Sequence, residues 1–507
     1  MLFYDLSQRG DVPLYNYLYK RIRHDIAHGA ISAGEKLPSK RALAKHLGVG
    51  VITVEAAYTQ LVAEGYVCAE ERRGYFACKL APAVRAGESS ESSARTDVSA
   101  REESSVPSNV APSRGGRCED RARPSFSGSA ATALFPYATW AKAMRQTLSE
   151  ERSQTLAEAA SAFGSLRLRR AIASYLRDYR GMDVSAERIV VGAGSQTLYQ
   201  LLVQLLGRNK TYAVEVPGYP LLAEIYRAQD ARVVEIPVAA CGIDVDALEA
   251  SGAEVAHVMP AHQFPTGTVM SATCRRSLLN WSRGGGTGAT SPVSCGRFIV
   301  EDDYDAEFRM AGRPIPPLAS IDSAGRVVYL NSFAKSLGAA FRIAYMVLPP
   351  ALLERFAGEL GFYSNTVSPL EQLALARFIE QGHYERHVNR LRVRAKRAQD
   401  AIVAALAANN PEGTFKFTGL DGGFHFSVRI EADCRAAGGD AGLRGRAVRG
   451  GAGAGIRTAK SGDALAFREE TLRKVAGECG ARVFPIAPGR YMVNFEEAVA
   501  AGAKGRG

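Results

Sequence analysis

The stretch APAVRAGESSESSARTDVSAREESSVPSNVAPSRGGRCEDRARPS, residues 81–125, mixes serine, glycine, proline and alternating charges with almost no large apolar side chains. Such a segment buries too little surface to offset the entropy of ordering it, so it reads as a flexible linker. As a coil of 45 residues it reaches roughly 35–40 Å on average. It divides the 507-residue chain into a small module, residues 1–80, and a large one, residues 126–500. Two further biased stretches, 282–297 and 435–463, are expected as flexible insertions within the large module.

With 46% hydrophobic and 23% charged residues, the composition is that of a globular protein, and no uninterrupted apolar run approaches a membrane span. The N-terminal MLFYDLSQRGDVPLYNYL lacks the basic start and apolar run of a signal peptide, so a cytoplasmic location with no membrane partner is the expectation. Eight cysteines stand as singles, with no C-x-x-C pair and no metal-like spacing with histidine. Reduced thiols and no bound metal follow from that spacing. The net charge of +11 favours a polyanionic partner.

In the small module, Leu14, Leu18, Ile22 and Ile26 recur at helical spacing, and Gly29 suits a stop. SKRALAKHLG then forms a short helix with Ser39 as N-cap, the turn GVG follows, and VITVEAAYTQLVAEG forms a second helix ending at Gly65. Two short helices across a glycine turn make a helix-turn-helix. The segment YVCAEERRGYFAC supplies two strands around a basic turn, the wing of a winged helix. Residues 12–78 resemble the winged-helix domain of GntR-type bacterial regulators. On a DNA duplex, Lys40, Arg41 and Lys45 can meet phosphates, Thr53 can reach a phosphate or a base edge, and Arg72 and Arg73 can enter the minor groove. Many family members carry an arginine at the start of the recognition helix, where this chain has Val51 and Ile52. Residues 1–80 hold 11 Lys and Arg against 8 Asp and Glu, a surplus of +3. That small surplus suits salt-sensitive binding by a dimer.

The large module alternates short β-branched runs (RIVVGAG, TYAVEV, EVAHVMP, RFIVEDD, RVVYLNSF) with helical periods, the pattern of a mostly parallel sheet covered by helices. Ligands in such α/β sheets sit at the carboxyl ends of strands. Lys335 lies at one such end in NSFAKSLGAAFR, with Ser332 before it and Arg342 seven residues on. A lysine amine attacks an aldehyde once it is partly deprotonated, and a neighbouring arginine with partial burial acts in that direction. Ser332 and Arg342 suit a phosphate on the same molecule. At a second strand end, Gly194, Ser195 and Gln196 open a helix whose N–H groups favour phosphate. At a third, Asp302, Asp303 and Tyr304 offer a carboxylate for a protonated ring nitrogen and a phenol for a ring hydroxyl.

The order YLRDYRG, GAGSQ, VEVPGYP, PAHQFPTG, EDDYDAEF, NSFAKS resembles the fold-type I aminotransferases over residues 126–430. It is similar to their MocR branch, in which a GntR-type domain precedes an aminotransferase-like domain. The resemblance implies an α/β fold, a mostly parallel sheet with flanking helices and a smaller C-terminal subdomain, and pyridoxal 5'-phosphate as cofactor. It implies Lys335 as the lysine that bonds the cofactor, Asp302 on the pyridine nitrogen with Asp303 as its rival, and Tyr304 on the ring hydroxyl. Gly194, Ser195, Gln196, Ser332 and Arg342 are implied around the phosphate, with Tyr219 stacked on the ring. It further implies a homodimer with each DNA module lying over the partner's large domain.

Two departures bear on catalysis. Phe264 precedes the proline of AHQFPTG where aminotransferases usually have asparagine, and Met492 of PGRYMVNFEE takes the place of the arginine that grips a substrate carboxylate. A shifted frame offers Arg490 instead. Losing that clamp removes much of the orientation transamination needs. The expectation is therefore a regulator that binds double-stranded DNA and senses pyridoxal phosphate, or an amine or amino acid reacting with it. The alternative is an active aminotransferase with an N-terminal docking module.

Overall fold

The computed structural model describes residues 13–70, 73–80, 129–151, 160–284, 296–310, 315–410, 413–431 and 461–504, with Tyr4, residues 6–9 and Leu156. The linker 81–125, most of each expected insertion, and Arg72 lie outside these described residues.

The apolar stripe at the N-terminus becomes helix α1 (Leu14–Ala27), with Leu18, Ile22 and Ile26 buried. Helix α2 (Lys40–Leu47) starts where Ser39 Oγ accepts the Ala42 N–H at 3.2 Å, and ends at Gly48 with φ +65°. Helix α3 (Val51–Ala63) packs Val54, Ala57, Tyr58 and Leu61 into the same core as α1. Strands β1 (Val67–Glu70) and β2 (Gly74–Ala77) pair antiparallel to make the wing, and Lys36 bridges to Phe76 on its outer side.

The large module is built on eight strands in the order β3 (Ile189–Gly192), β10 (Ala344–Val347), β9 (Val327–Ser332), β8 (Phe298–Asp302), β7 (Val255–Val258), β4 (Thr211–Val216), β5 (Arg232–Ala239), β6 (Gly242–Ile243). The run from β9 to β5 is parallel, and only β10 and β6 are reversed. Strands β3, β7 and β8 bury every residue from Ile189 to Gly192, Val255 to Val258 and Phe298 to Asp302, because helices cover both faces. A second, antiparallel sheet in the order β11 (Phe415–Thr418), β12 (His425–Ile430), β14 (Arg490–Asn494), β13 (Arg482–Ala487) forms the smaller C-terminal layer. Its core side packs on the long helix His383–Ala408.

Three helices of the large module matter below: α4 (Ser195–Leu206), α5 (Ala272–Arg283) and the short α6 (Ala334–Leu337). The winged helix rests on α5 of its own chain. The Ala272 N–H donates to the Glu64 carbonyl at 2.9 Å, so the last turn of α3 meets the first turn of α5. Thr273 Oγ1 donates to the Lys79 carbonyl at 2.7 Å. The resemblance implied the partner's domain as the resting place; within one chain, a linker of this length also reaches the chain's own.

Candidate functional site

A cavity of about 200 Å³ opens at the carboxyl ends of the central strands. The chain leaves β3 and turns at Gly194, whose φ of +87° suits glycine, before α4 begins. Ser195 and Gln196, the first turn of α4, line the cavity. A Cβ on Gly194 would stand 2.5 Å from Arg342 Nη2, so the missing side chain is what lets the guanidinium lie there. Arg342 holds φ of +47°, a left-handed backbone that costs a non-glycine residue on the order of 1 kcal/mol and recurs at ligand sites. Ser332 ends β9, and its Oγ accepts the Ala334 N–H at 3.2 Å, opening the turn that carries Lys335. A helix N-terminus, a hydroxyl and a guanidinium around one point form a donor set for a phosphate dianion.

The strand β8 resolves its two aspartates into different roles. Asp302 is buried and lines the cavity; it accepts a hydrogen bond from the Tyr199 hydroxyl and lies 3.5 Å from His257 Nε2. His257 is in turn held at Nδ1 by the Tyr226 hydroxyl at 2.6 Å. Asp303 faces the interior, where it pairs with buried Arg180 and accepts from the Tyr329 hydroxyl at 2.9 Å. Tyr304 lines the cavity with its hydroxyl 3.4 Å from His262 Nδ1. Burial, then the charges of Asp305 and Asp302, push this phenol well above the usual tyrosine range, so it stays a proton donor.

Lys335 reaches into the same cavity and forms an ion pair with buried Glu496, the first residue of helix α7 (Glu496–Lys504). Tyr219 lines the cavity beside Phe264, their rings 6.4 Å apart and edge-on. Of the residues expected at the cofactor, Lys335, Asp302, Tyr304, Ser195, Gln196, Tyr219, Ser332 and Arg342 line one cavity, while Gly194 lies against the Arg342 guanidinium without lining it and Asp303 points away. Arg490, the shifted-frame candidate, is exposed at the start of β14 opposite Arg429 and does not line the cavity; Met492 is buried.

Sequence reasoning missed Tyr199, Met259, His425, Asn494 and Glu496. Tyr199 was legible, being one helical turn after Ser195 on the same face. His425 and Asn494 face each other across β12 and β14, a pairing that spans a long insertion and leaves no local signal. Burial, then His262 and Lys335 close by, push the His425 imidazole well below its usual range, so it is neutral.

In the small module a groove between α2 and the wing is lined by Lys36, Lys40, Arg41 and Arg73. Lys40 Nζ bonds Glu55 at 2.5 Å, and Arg73 pairs with Glu70 while its guanidinium lies 5.5 Å from the Phe76 ring centre. Lys45 is exposed in the last turn of α2 and Thr53 half-buried in the first turn of α3, both outside the groove. Lys36 was not anticipated; it joins through the bridge to β2. Val51 and Ile52 are exposed, Ile52 at 81%, which leaves two apolar side chains at the tip of the recognition helix.

Comparison with known proteins finds two family matches along the chain. Residues 14–76 match the model of bacterial regulatory proteins of the gntR family, and residues 128–280 that of class I and II aminotransferases. The chain is 36% identical to YdeL of Bacillus subtilis, named as an uncharacterized HTH-type transcriptional regulator, over 78% of this chain and 79% of that one. It is 30% identical to the probable rhizopine catabolism regulatory protein MocR of Rhizobium meliloti, over 79% and 78%, and 28% identical to the pyridoxine biosynthesis transcriptional regulator PdxR of Corynebacterium glutamicum, over 80% and 81%. Among solved structures, a multiple substrate aminotransferase of Thermococcus profundus superposes with a TM-score of 0.52 at 23% identity, over 73% of this chain and 86% of that one, a likeness of fold.

Proposed function

This chain belongs to the gntR family of bacterial regulatory proteins, as a DNA-binding transcriptional regulator with an aminotransferase-like domain, and we propose that this domain binds pyridoxal phosphate and uses it to sense an amine. The observation that carries the reading is the convergence of a phosphate donor set, a buried carboxylate, a protonated phenol and a lysine amine on one cavity.

In this reading Arg342, Ser332 and the first N–H groups of α4 bind the phosphate, and Gly194 makes room for the guanidinium. Asp302, fixed by Tyr199 and beside His257, holds the proton on the ring nitrogen. Tyr304 donates to the ring hydroxyl, and Tyr219 covers the ring. When bound, pyridoxal phosphate supplies an aldehyde that condenses with amines, Lys335 first among them. Met492 in place of a carboxylate-gripping arginine supports a sensing role over turnover.

The DNA side of the reading rests on the groove that holds Lys40, Arg41 and Arg73 for the phosphate backbone, with Lys45 flanking it and Thr53 at the start of α3. A homodimer is supported by Phe362 and Tyr363, an exposed aromatic pair with ring centres 4.3 Å apart. The test is binding of the purified protein to DNA from upstream of its own gene and to an unrelated duplex, at two salt concentrations, with and without pyridoxal phosphate. Sequence-selective binding that shifts with the cofactor is expected. Equal, salt-labile binding to both duplexes, indifferent to the cofactor, sinks the reading.

A further inference from the structure

The cavity differs from a carboxylate-binding pocket in its charge. Along β14, Tyr491 and Val493 pack into the core of the C-terminal layer, so Arg490, Met492 and Asn494 share the opposite face. Asn494 reaches the cavity, Met492 is buried two residues before it, and Arg490 lies exposed at the far end. The paired strand β12 brings His425 beside Asn494, and that imidazole is neutral. Among the described residues, this layer lends the cavity no cation.

It lends an anion instead. Glu496, 3% exposed, opens α7 with its N–H on Asn494 Oδ1 at 3.1 Å and its carboxylate on the Lys335 ammonium. The two charges neutralise each other at the reactive end, while Arg342 is committed to the phosphate donor set and Arg180 to Asp303. A ligand that brings its own carboxylate next to its amine would strip it of water beside Glu496, with no guanidinium to receive it.

Resting on the pyridoxal phosphate reading, we propose that the pocket takes a primary amine bearing no carboxylate on its amine-bearing carbon, and that Glu496 and Met492 set this preference. Glu496 does so by charge, repelling a second carboxylate and pairing with the Lys335 ammonium once an incoming amine has released it. Met492, buried on the same face of β14 as Asn494, does so by placing no guanidinium where the carboxylate of an amino acid needs one.

The test compares n-butylamine with L-norvaline, the same skeleton with an α-carboxylate, by calorimetric titration of the full chain loaded with pyridoxal phosphate; the absorbance of the bound cofactor is the second readout. Butylamine is expected to bind about tenfold or more tightly than norvaline, a ratio set by carboxylate desolvation. Glu496→Gln should shrink that ratio, and Met492→Arg combined with Glu496→Gln should invert it. Norvaline binding as tightly as butylamine in the unaltered protein overturns the inference. So does a protein that holds the cofactor, by its absorbance, yet binds neither compound. A protein that never acquires the cofactor absorbance overturns the pyridoxal phosphate reading itself, which keeps the two failures apart.

Discussion

Around Arg342 the groups suited to phosphate sit at positions fixed by the backbone: a guanidinium pressed on a glycine, a half-buried serine at a strand end and the first turn of a helix. Under the wing, Lys36, Lys40, Arg41 and Arg73 stand at the surface, and two of the four already hold carboxylates, Glu55 and Glu70. The first arrangement selects by position, through directed hydrogen bonds that converge on one cavity. The second works by the sum of charges in water, through release of counterions. The contrast teaches which losses should be steep and which graded.

The steepest break is Lys335→Ala. With the amine gone, the visible absorbance of the bound cofactor should disappear while the protein remains folded by circular dichroism; an unchanged spectrum removes Lys335 from its assigned role. Next is Arg342→Ala, which deletes one charge-assisted partner from a converging set. Cofactor affinity should fall by about 10- to 150-fold, the equivalent of roughly 1.5–3 kcal/mol. Part of the deficit should persist from 50 to 300 mM salt, because hydrogen bonds in fixed directions act beside the screened charge. A deficit that vanishes at 300 mM salt would mean that Arg342 acts by charge alone, as the cations of the wing do.

The same contrast explains what was legible in the sequence. The helix-turn-helix and the strand-end motifs were, because caps, turns and periodicity are local: Ser39 accepts the Ala42 N–H, and Gly194 takes a positive φ. The choice between Asp302 and Asp303 was not. Neighbouring residues at a strand end point to opposite sides, and only the partners decide: Tyr199 for one, Arg180 for the other. Glu496 and His425 were invisible for a different reason. Each meets the cavity through the C-terminal layer, so their place beside Lys335 depends on how two layers pack. Lys36 escaped notice because its position in the groove comes from a single bridge to β2.

A smaller effect is expected under the wing. Arg41→Ala and Arg73→Ala should each weaken binding to every duplex severalfold, and each should lower the slope of log affinity against log salt by about 0.9. Ile52→Ala should act on sequence preference instead, because an exposed apolar side chain at the tip of a recognition helix meets thymine methyls without charge. A changed salt slope for Ile52→Ala, or an unchanged one for Arg41→Ala, would erase the distinction between backbone and base contacts.

The last contrast is in protons. Glu215, at the carboxyl end of β4 behind the cavity wall, accepts the Met259 N–H at 3.2 Å and the Gln263 amide at 3.4 Å. Burial nevertheless pushes its carboxyl from an ordinary 4.5 up to about 8. Glu301 and Glu307, buried nearby, are pushed up to about 7 for the same reason. The unfolded chain gives up the Glu215 proton near pH 4.5 and the folded chain only near 8. Between those values the folded state binds more protons, so stability is complete below the lower value and is lost as pH rises through the upper one. The melting temperature should therefore fall by roughly a few degrees between pH 6 and 8.5. Glu215→Gln, which keeps the acceptor and removes the titration, should flatten part of that decline, leaving the share of Glu301 and Glu307. A melting temperature that climbs with pH over this interval would mean that Glu215 is ionised in its pocket, and the wall behind the cofactor cavity would then hold charge where this reading holds a proton.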